Sequence, residues 1–489
     1  MGDDNIQKSL FIKNGIMLTL FSLLIRSISM GFRIWLAGGL GEKGLGLYQL
    51  ILSVYAFFAL MATSGLNITC TRLTGEQLAR GNTGKALYIC ERLLCFAVML
   101  GCVLGMILFF SADLIGNSIL KNKDASAALR ILSFSLPFMA FSSVVRGYFS
   151  AKRKQLLNGA EQLIEQLAEC AVCYLVFSLD TTCCAPVTGT TAAEVISFIY
   201  SLIILLYDRA HCTQPVTREK GLIRSALPIA VPCTANSALR TALSAIENIL
   251  IPAGLMKYGA DSGEALAEYG LISGMAMPLI VFPSVFILPF ASLIIPEMSQ
   301  AAVQGRKNGI RHMSDRMLTA ALQFSIPVMI LLMFYSKPLA LAVYGSEKGG
   351  FYLAALAPVV PLMYLDSVID GMLKGLNEQT SYFITNTIDS VIRAALTYTL
   401  LPVFGAKAII AIIIFSELLN TLLSLFRLIK VTGVKLNIPY AVILPFLSVL
   451  IPCLILKLLP FSDKGLAPLV ISGTISLISM YNVQCAMYN

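Results

Sequence analysis

Fourteen apolar stretches, most of them near 20 residues long, follow one another along the chain, and no other feature constrains the fold as strongly. A helix needs about 20 mostly apolar residues to cross the hydrocarbon core of a bilayer. Within that layer the backbone must satisfy its own hydrogen bonds, which leaves only helices and closed barrels. The stretches lie at 12–37, 45–68, 87–111, 126–148, 157–179, 188–207, 222–252, 266–295, 317–336, 350–373, 380–401, 405–426, 440–457 and 465–484. The seventh and eighth exceed the minimum length, and Pro228, Pro232, Pro278, Pro283 and Pro289 predict bends there. Of the 489 residues, 57% are hydrophobic and 13% are charged. That balance excludes disorder and an ordinary soluble domain, which would carry roughly 25% charged residues. The fold class is therefore all-α: a polytopic membrane protein of about 14 transmembrane helices.

Lysine and arginine set the orientation, because cytoplasmic loops carry the excess of positive charge. Twenty of them fall in one set of loops together with the N-terminal segment, among them Arg72, Arg80, Lys152, Arg153, Lys154, Arg306, Lys307 and Arg427. Nine fall in the opposite set, so both termini are expected in the cytoplasm of a multi-pass inner-membrane protein. The formal charge of +9 then needs no nucleic-acid partner. The segment "MGDDNIQKSLFIKNG" begins acidic and precedes an apolar run too long for a signal peptide, so the first helix is expected to be retained.

Comparing the chain with itself gives matches at a single offset of 224 residues. Gly81 maps to Gly305, Glu91-Arg92 to Asp315-Arg316, Pro137 to Pro361, Gly147 to Gly371, Gln155 to Gln379 and Glu165 to Asp389. The repeat divides the chain into residues 1–220 with spans 1–6, 221–435 with spans 7–12, and 436–489 with spans 13–14. Six spans is an even number, so the halves enter the membrane in the same sense. Parallel repeats of this kind build transporters.

Charge inside the membrane is costly and marks function by default. Arg26 and Arg33 lie seven residues apart, two helical turns, and so share one face with Ser22 and Ser29. Two guanidinium forks on one face either grip an anion such as a diphosphate or each pair with a carboxylate. The seventh span carries Arg240 and Glu247, again seven apart. The fifth carries Glu161, Glu165 and Glu169 as one acidic stripe, and its counterpart carries Asp389 and Arg393. Glu161 lies near the "KRK" loop and reads as an interfacial salt bridge. Glu165 and Glu169 either balance the arginines or take up protons or Na⁺. Glu194 and Glu417 occupy corresponding spans and read as interhelical hydrogen-bonding groups.

Enzyme signatures are missing. The two histidines, His211 and His312, lie in loops, no GxxxxGK[ST] occurs, and the Asp366/Asp370 pair has Ser142 and Arg146 where a second acidic motif would be. Asp370 instead suits Lys374 at i,i+4. Cys170 and Cys173 read as packing residues, with no histidine or second pair at ligand spacing, so no metal is expected. "GGLGEKGLG" reads as a tight outer turn between the first two spans.

The stretch "RSISMGFRIWLAGGLGEKGLGLYQL" resembles the first-helix signature of the stage V sporulation protein B family, and "GLIRSALPIAV", "YGLISGMAMPLIVFPSVF" and "IPEMSQA" resemble its seventh and eighth helices. That family belongs to the MOP superfamily, with multidrug extruders, O-antigen flippases and lipid II flippases. The resemblance implies two pseudo-symmetric six-helix lobes around a central cavity, plus two C-terminal helices. It further implies a non-enzymatic flippase for an undecaprenyl-diphosphate-linked oligosaccharide or peptidoglycan precursor. Its partners would be that lipid-linked sugar, membrane lipids and cell-wall synthesis enzymes. In that reading Arg26, Arg33 and Arg240 contact the diphosphate, while Glu165, Glu169, Glu247, Asp389 and Arg393 serve as counter-ions or ion-coupling groups. No cofactor is implied, only coupling to Na⁺, H⁺ or the membrane potential. The alternative is a cation-coupled multidrug exporter, against which stands a first span without Asp or Glu and with two arginines.

Overall fold

The computed structural model describes residues 2–120, 122–178, 182–212, 214, 222–434 and 437–458, with side chains from residue 21 onward. The described chain is helical throughout and packs as two compact units, Met1–Ile249 and Leu250–Asn489.

The first unit contains α1 (Gly2–Ala79), α2 (Thr83–Asp113), α3 (Lys123–Ser133), α4 (Leu136–Ala151), α5 (Gln155–Phe177), α6 (Cys184–Ala210) and the larger part of α7 (Leu222–Tyr258). The second contains α8 (Ser262–Tyr269), α9 (Met277–Val281), α10 (Leu288–Val303), α11 (Lys307–Tyr344), α12 (Glu347–Leu356), α13 (Val360–Gly375), α14 (Gln379–Phe404), α15 (Ala406–Thr432) and α16 (Leu444–Leu458). Each of the expected spans up to 440–457 falls on helix. The last, 465–484, lies outside the described residues. Among the described residues, seven helices are long and apolar enough to cross a membrane, and α3 with α4 would do so as one span bent by 45°. The protein is a multi-pass membrane protein. The three glutamates of α5 keep that helix from meeting the same criterion despite its 23 residues.

Two sequence expectations change in detail. "GGLGEKGLG" makes its turn in a single residue: two helical stretches meet at Gly41, with φ 66° and ψ −178°. Glycine reaches positive φ without the Cβ clash other residues suffer, so one residue does the work of a turn. Pro228 and Pro232 leave α7 unbroken, whereas the prolines of the eighth span do interrupt it. There a π-helical segment (Gly270–Ala276) and a 3₁₀ segment (Phe282–Phe286) separate α8, α9 and α10. Proline removes a backbone donor and clashes with the preceding turn.

The internal repeat is written into the backbone. Thr83 and Lys307, Lys123 and Glu347, Leu136 and Val360, and Gln155 and Gln379 each open a helix, and the members of every pair are 224 residues apart. The turns repeat as well. Gly81 and Gly305 take φ of 75° and 66°, and the only described non-glycine residues with positive φ, Arg153 (59°) and Asn377 (63°), also differ by 224.

Packing explains the Gly147 and Gly371 match. A Cβ on Gly147 would lie 2.6 Å from the carbonyl oxygen of Asn67, and one on Gly371 would lie 2.4 Å from that of Ala291, and 67 and 291 again differ by 224. In lipid, helices gain from close backbone approach at small residues and from polar side chains across the contact. The α1–α4 contact has both: Asn67 Nδ2 donates to Ser143 O at 2.8 Å, and Thr71 Oγ1 donates to Gly147 O at 3.1 Å.

Candidate functional site

On α1, Ser22, Arg26, Ser29 and Arg33 follow one helical face inside a predominantly apolar segment. Arg26 is exposed at the protein surface and Arg33 is half-buried. Among the described residues neither arginine has an ion-pair or hydrogen-bond partner. The charge of Arg33 still acts over a longer distance on Glu169 and Tyr48. Arg240 on α7 is likewise exposed and, among the described residues, without an ion-pair or hydrogen-bond partner, while Glu247, two turns further along, is buried. Among the described residues, Glu165 forms no salt bridge with Arg26 or Arg33.

The partner of Glu165 is Arg146, a residue the sequence reading passed over as the mere counterpart of Asp370. Arg146 Nε lies 3.5 Å from Glu161 Oε1, and its Nη2 lies 3.5 Å from Glu165 Oε2. Glu161 is fully buried, and its Oε1 also accepts hydrogen bonds of 2.8 Å from both Ser197 and Ser201 on α6. Ser197 also donates to Glu165 Oε2 at 3.4 Å. Asn158 holds the α4–α5 turn in place by donating to Arg146 O at 3.0 Å and Ser150 Oγ at 2.9 Å. The "KRK" lysines have a different partner: Lys152 and Lys154 both reach Asp208 at the end of α6, and Tyr148 donates to that carboxylate at 2.8 Å. Glu169, one turn beyond Glu165, accepts from Thr190 at 2.9 Å and from Gln166 at 3.1 Å.

Glu194 is also buried beside this cluster, and the charges of Glu165, Arg146, Glu161 and Glu169 all act on it. Its Oε2 has no hydrogen-bond partner, so the interhelical bond expected from sequence is not made by that atom. One sequence signal pointed toward Arg146. It is an arginine within an apolar span, at the position where the other half carries Asp370.

In the second unit the corresponding register is occupied differently. Asp389 is buried and accepts from Ser416 at 2.5 Å, and the charge of Arg393 acts on it from one turn away. Asp366 accepts from Asn420 at 3.2 Å. Asp370 pairs with Lys374 at 2.6 Å, as the i,i+4 spacing anticipated. Among the described residues no group of three His, Cys, Asp or Glu side chains converges closely enough to hold a metal ion. Cys173 is fully buried, in keeping with a packing role. Cys183, from the vicinal pair, donates to Gly44 O at 3.2 Å, and burial pushes its thiol up to about 12, which keeps it inert.

The geometry is one of arginines on a membrane helix and a buried group of carboxylates around Arg146, and known proteins share its frame. Stage V sporulation protein B of Bacillus subtilis (strain 168) is 23% identical over 445 residues, covering 88% of this chain and 86% of the relative. The lipid II flippase MurJ of the same organism is 20% identical over 445 residues, covering 82% and 79%. Among solved structures, lipid II flippase MurJ in an inward closed conformation superposes with a TM-score of 0.76 at 15% identity, covering 97% of this chain and 99% of that one. An inward-facing multidrug-resistance MATE transporter of the MOP superfamily superposes with a TM-score of 0.65 at 13% identity, covering 85% and 99%. These likenesses show that the chain shares its fold with lipid II flippase MurJ and with the MATE transporter. The MatE family model matches residues 232–399. The model described as polysaccharide biosynthesis protein matches residues 11–302, more than half of the chain, and the chain belongs to that family.

Proposed function

We propose that this protein is a flippase, moving an undecaprenyl-diphosphate-linked oligosaccharide or a lipid II-like peptidoglycan precursor across the cytoplasmic membrane by alternating access. Residues 1–220 and 221–435 act as its two lobes, with 436–489 appended and both termini in the cytoplasm. Such a carrier serves spore cortex, cell-wall or polysaccharide synthesis, and its partners are membrane lipids and the enzymes that make and use the precursor.

One observation carries the reading. Arg26 and Arg33 share a face of α1 and, among the described residues, have no carboxylate to neutralise them. An arginine in a membrane helix costs at least about 2.5–3.5 kcal/mol, so an unpaired pair marks a place where the counter-charge arrives with the ligand. The guanidinium fork matches phosphate oxygens in plane and spacing, and a diphosphate offers one phosphoryl group to each fork. Arg240 supplies a third such group. Glu165, Glu169, Glu247, Asp389 and Arg393 balance charge inside the helices or couple transport to Na⁺, H⁺ or the membrane potential. The sporulation protein and the lipid II flippase among the relatives support this substrate class over a cationic drug. So does the Coulomb preference of an arginine-lined helix for an anion.

The test is flipping of fluorescent lipid II by the purified protein in proteoliposomes. Arg26→Ala and Arg33→Ala should each lower the rate by at least about tenfold, because hydrogen bonds to charged groups contribute about 1.5–3 kcal/mol. Arg26→Lys keeps the charge without the fork and should fall between wild type and Ala. Wild-type rates in both alanine variants, or export of cationic dyes by a wild-type protein that does not flip lipid II, would overturn the proposal.

A further inference from the structure

The internal repeat makes α14 the counterpart of α5 and α7 the counterpart of α1, but the two pairs do not pack alike. α1 lies along α5 for most of its length. Phe21 stands against Gly159 near the start of α5, and Trp35 stands edge-on to Phe177 at its end, with ring centroids 5.1 Å apart. Among the described residues, α7 meets α14 near the end of both helices. There Gly254 adjoins Leu401, Lys257 lies over the Tyr398 ring at 5.1 Å, and Tyr258 adjoins Gly405. Earlier in α7 the contacts are with α1: Asn248 donates to Ser53 Oγ at 3.0 Å, and a Cβ on Gly65 would lie 2.4 Å from Ala230 O. The first half of α14 therefore lacks the cover that α1 gives to α5.

That uncovered stretch is polar on one side. Tyr382, Thr385, Asn386 and Arg393 are half-buried, while Ile384, Ile388 and Val391 on the opposite side of the helix are exposed. Asp389 lies on the polar side too, but it is buried and bonded to Ser416, and the charge of Arg393 acts on it from one turn away. The two charges offset each other, which leaves a face without net charge.

Its donors are spent inside the helix. Thr385 Oγ1 donates to Ser381 O at 3.1 Å, and Asn386 Nδ2 donates to Tyr382 O at 2.9 Å. What these side chains still offer is the lone pairs of Thr385 Oγ1 and Asn386 Oδ1. An uncharged, acceptor-rich surface suits a ligand that brings hydroxyl donors, and it does not suit a phosphate. Tyr382, one turn before Asn386, adds a ring that is apolar on its faces and complements the C–H face of a pyranose.

We propose that the Tyr382–Thr385–Asn386 side of α14 binds the saccharide of a lipid-linked diphosphate, with Thr385 Oγ1 and Asn386 Oδ1 accepting hydrogen bonds from sugar hydroxyls. The inference rests on the flippase reading above and names the part of the substrate that this face takes, the diphosphate being the share of the arginines.

The test compares two ligands of the purified full-length protein in detergent: undecaprenyl diphosphate, and the same lipid carrying a disaccharide. Wild type should bind the disaccharide lipid more tightly. Asn386→Leu and Thr385→Val should each weaken that lipid by about two- to tenfold, the range of one neutral hydrogen bond, and leave bare undecaprenyl diphosphate unchanged. Thr385→Val keeps the shape of the side chain, and Thr385→Ser should restore the preference. Equal affinity of wild type for the two lipids would overturn the proposal. So would a Thr385→Val protein that binds both as wild type does, or one that loses both equally with its melting temperature intact. Flipping of fluorescent lipid II in proteoliposomes separates the two readings. A wild type that flips nothing, yet shows a saccharide preference that these variants abolish, refutes the flippase and leaves the saccharide site standing.

Discussion

The two halves share a backbone register and fill parts of it with different charge. At the register of Arg146, which sits between buried Glu161 and half-buried Glu165, the second half has Asp370, bound to Lys374 on its own helix and partly exposed. Where the first half has Glu165 and Glu169, the second has Asp389 and Arg393, an acid and a base one turn apart. In the first half the charges tie α4, α5 and α6 together across helices. In the second, the Asp370–Lys374 pair closes within one helix, and Asp389 reaches α15 through the hydroxyl of Ser416. A duplicated scaffold has thus kept its glycine contacts and turns while its polar interior diverged. Packing geometry has few solutions, but buried charge can be balanced in many ways.

Breaking that comparison starts with its most buried element. Arg146→Met should destabilise the protein by about 3–5 kcal/mol, because removing one partner of a buried pair strands the other charge. Its thermal unfolding in detergent should drop by far more than that of Asp370→Asn. If the two variants unfold alike, the halves do not differ in the way described. Next come the shared contacts. Gly147→Ala and Gly371→Ala should each cost about 1–3 kcal/mol through overpacking against the facing carbonyl, and a large cost in one alone would show that the symmetry of the contact is only apparent. Arg153→Gly relieves a left-handed backbone at a side chain ill suited to it, and should stabilise by roughly 1 kcal/mol. Asn377→Gly should gain less, since asparagine tolerates that conformation. The smallest effect belongs to Asp370→Asn, about 0.3–0.5 kcal/mol for an i,i+4 pair in contact with water, read from the same melting curves.

Much of this was legible in the sequence for identifiable reasons. Span length is dictated by bilayer thickness, so apolar runs locate helices without any partner being known. Repeated glycines survive because close approach and positive φ admit little else, and Gly81, Gly305, Gly147 and Gly371 therefore stood out. The i,i+4 pair of Asp370 and Lys374 is local and could be read directly. Arg146 was not legible as a site because its partners lie on another helix, 15 and 19 positions away, and helical spacing says nothing about neighbours across a helix contact. The partner of Glu161 was not legible for the same reason: Lys152 and Lys154 are near it in sequence, but those lysines are drawn to Asp208 on α6.

The sequence by itself determined a many-helix membrane protein with an internal repeat and a pair of arginines in its first span, because hydrophobic length and charge cost act on each segment separately. Only the tertiary structure decided which charges are neutralised. It gave Glu161 and Glu165 to Arg146, left Glu194 Oε2 without a donor, and left Arg26 and Arg33 without an ion-pair or hydrogen-bond partner among the described residues. The reason is physical: the energy of a charge in a membrane depends on what stands within a few ångströms of it, and that is set by how helices pack rather than by the order of residues along them.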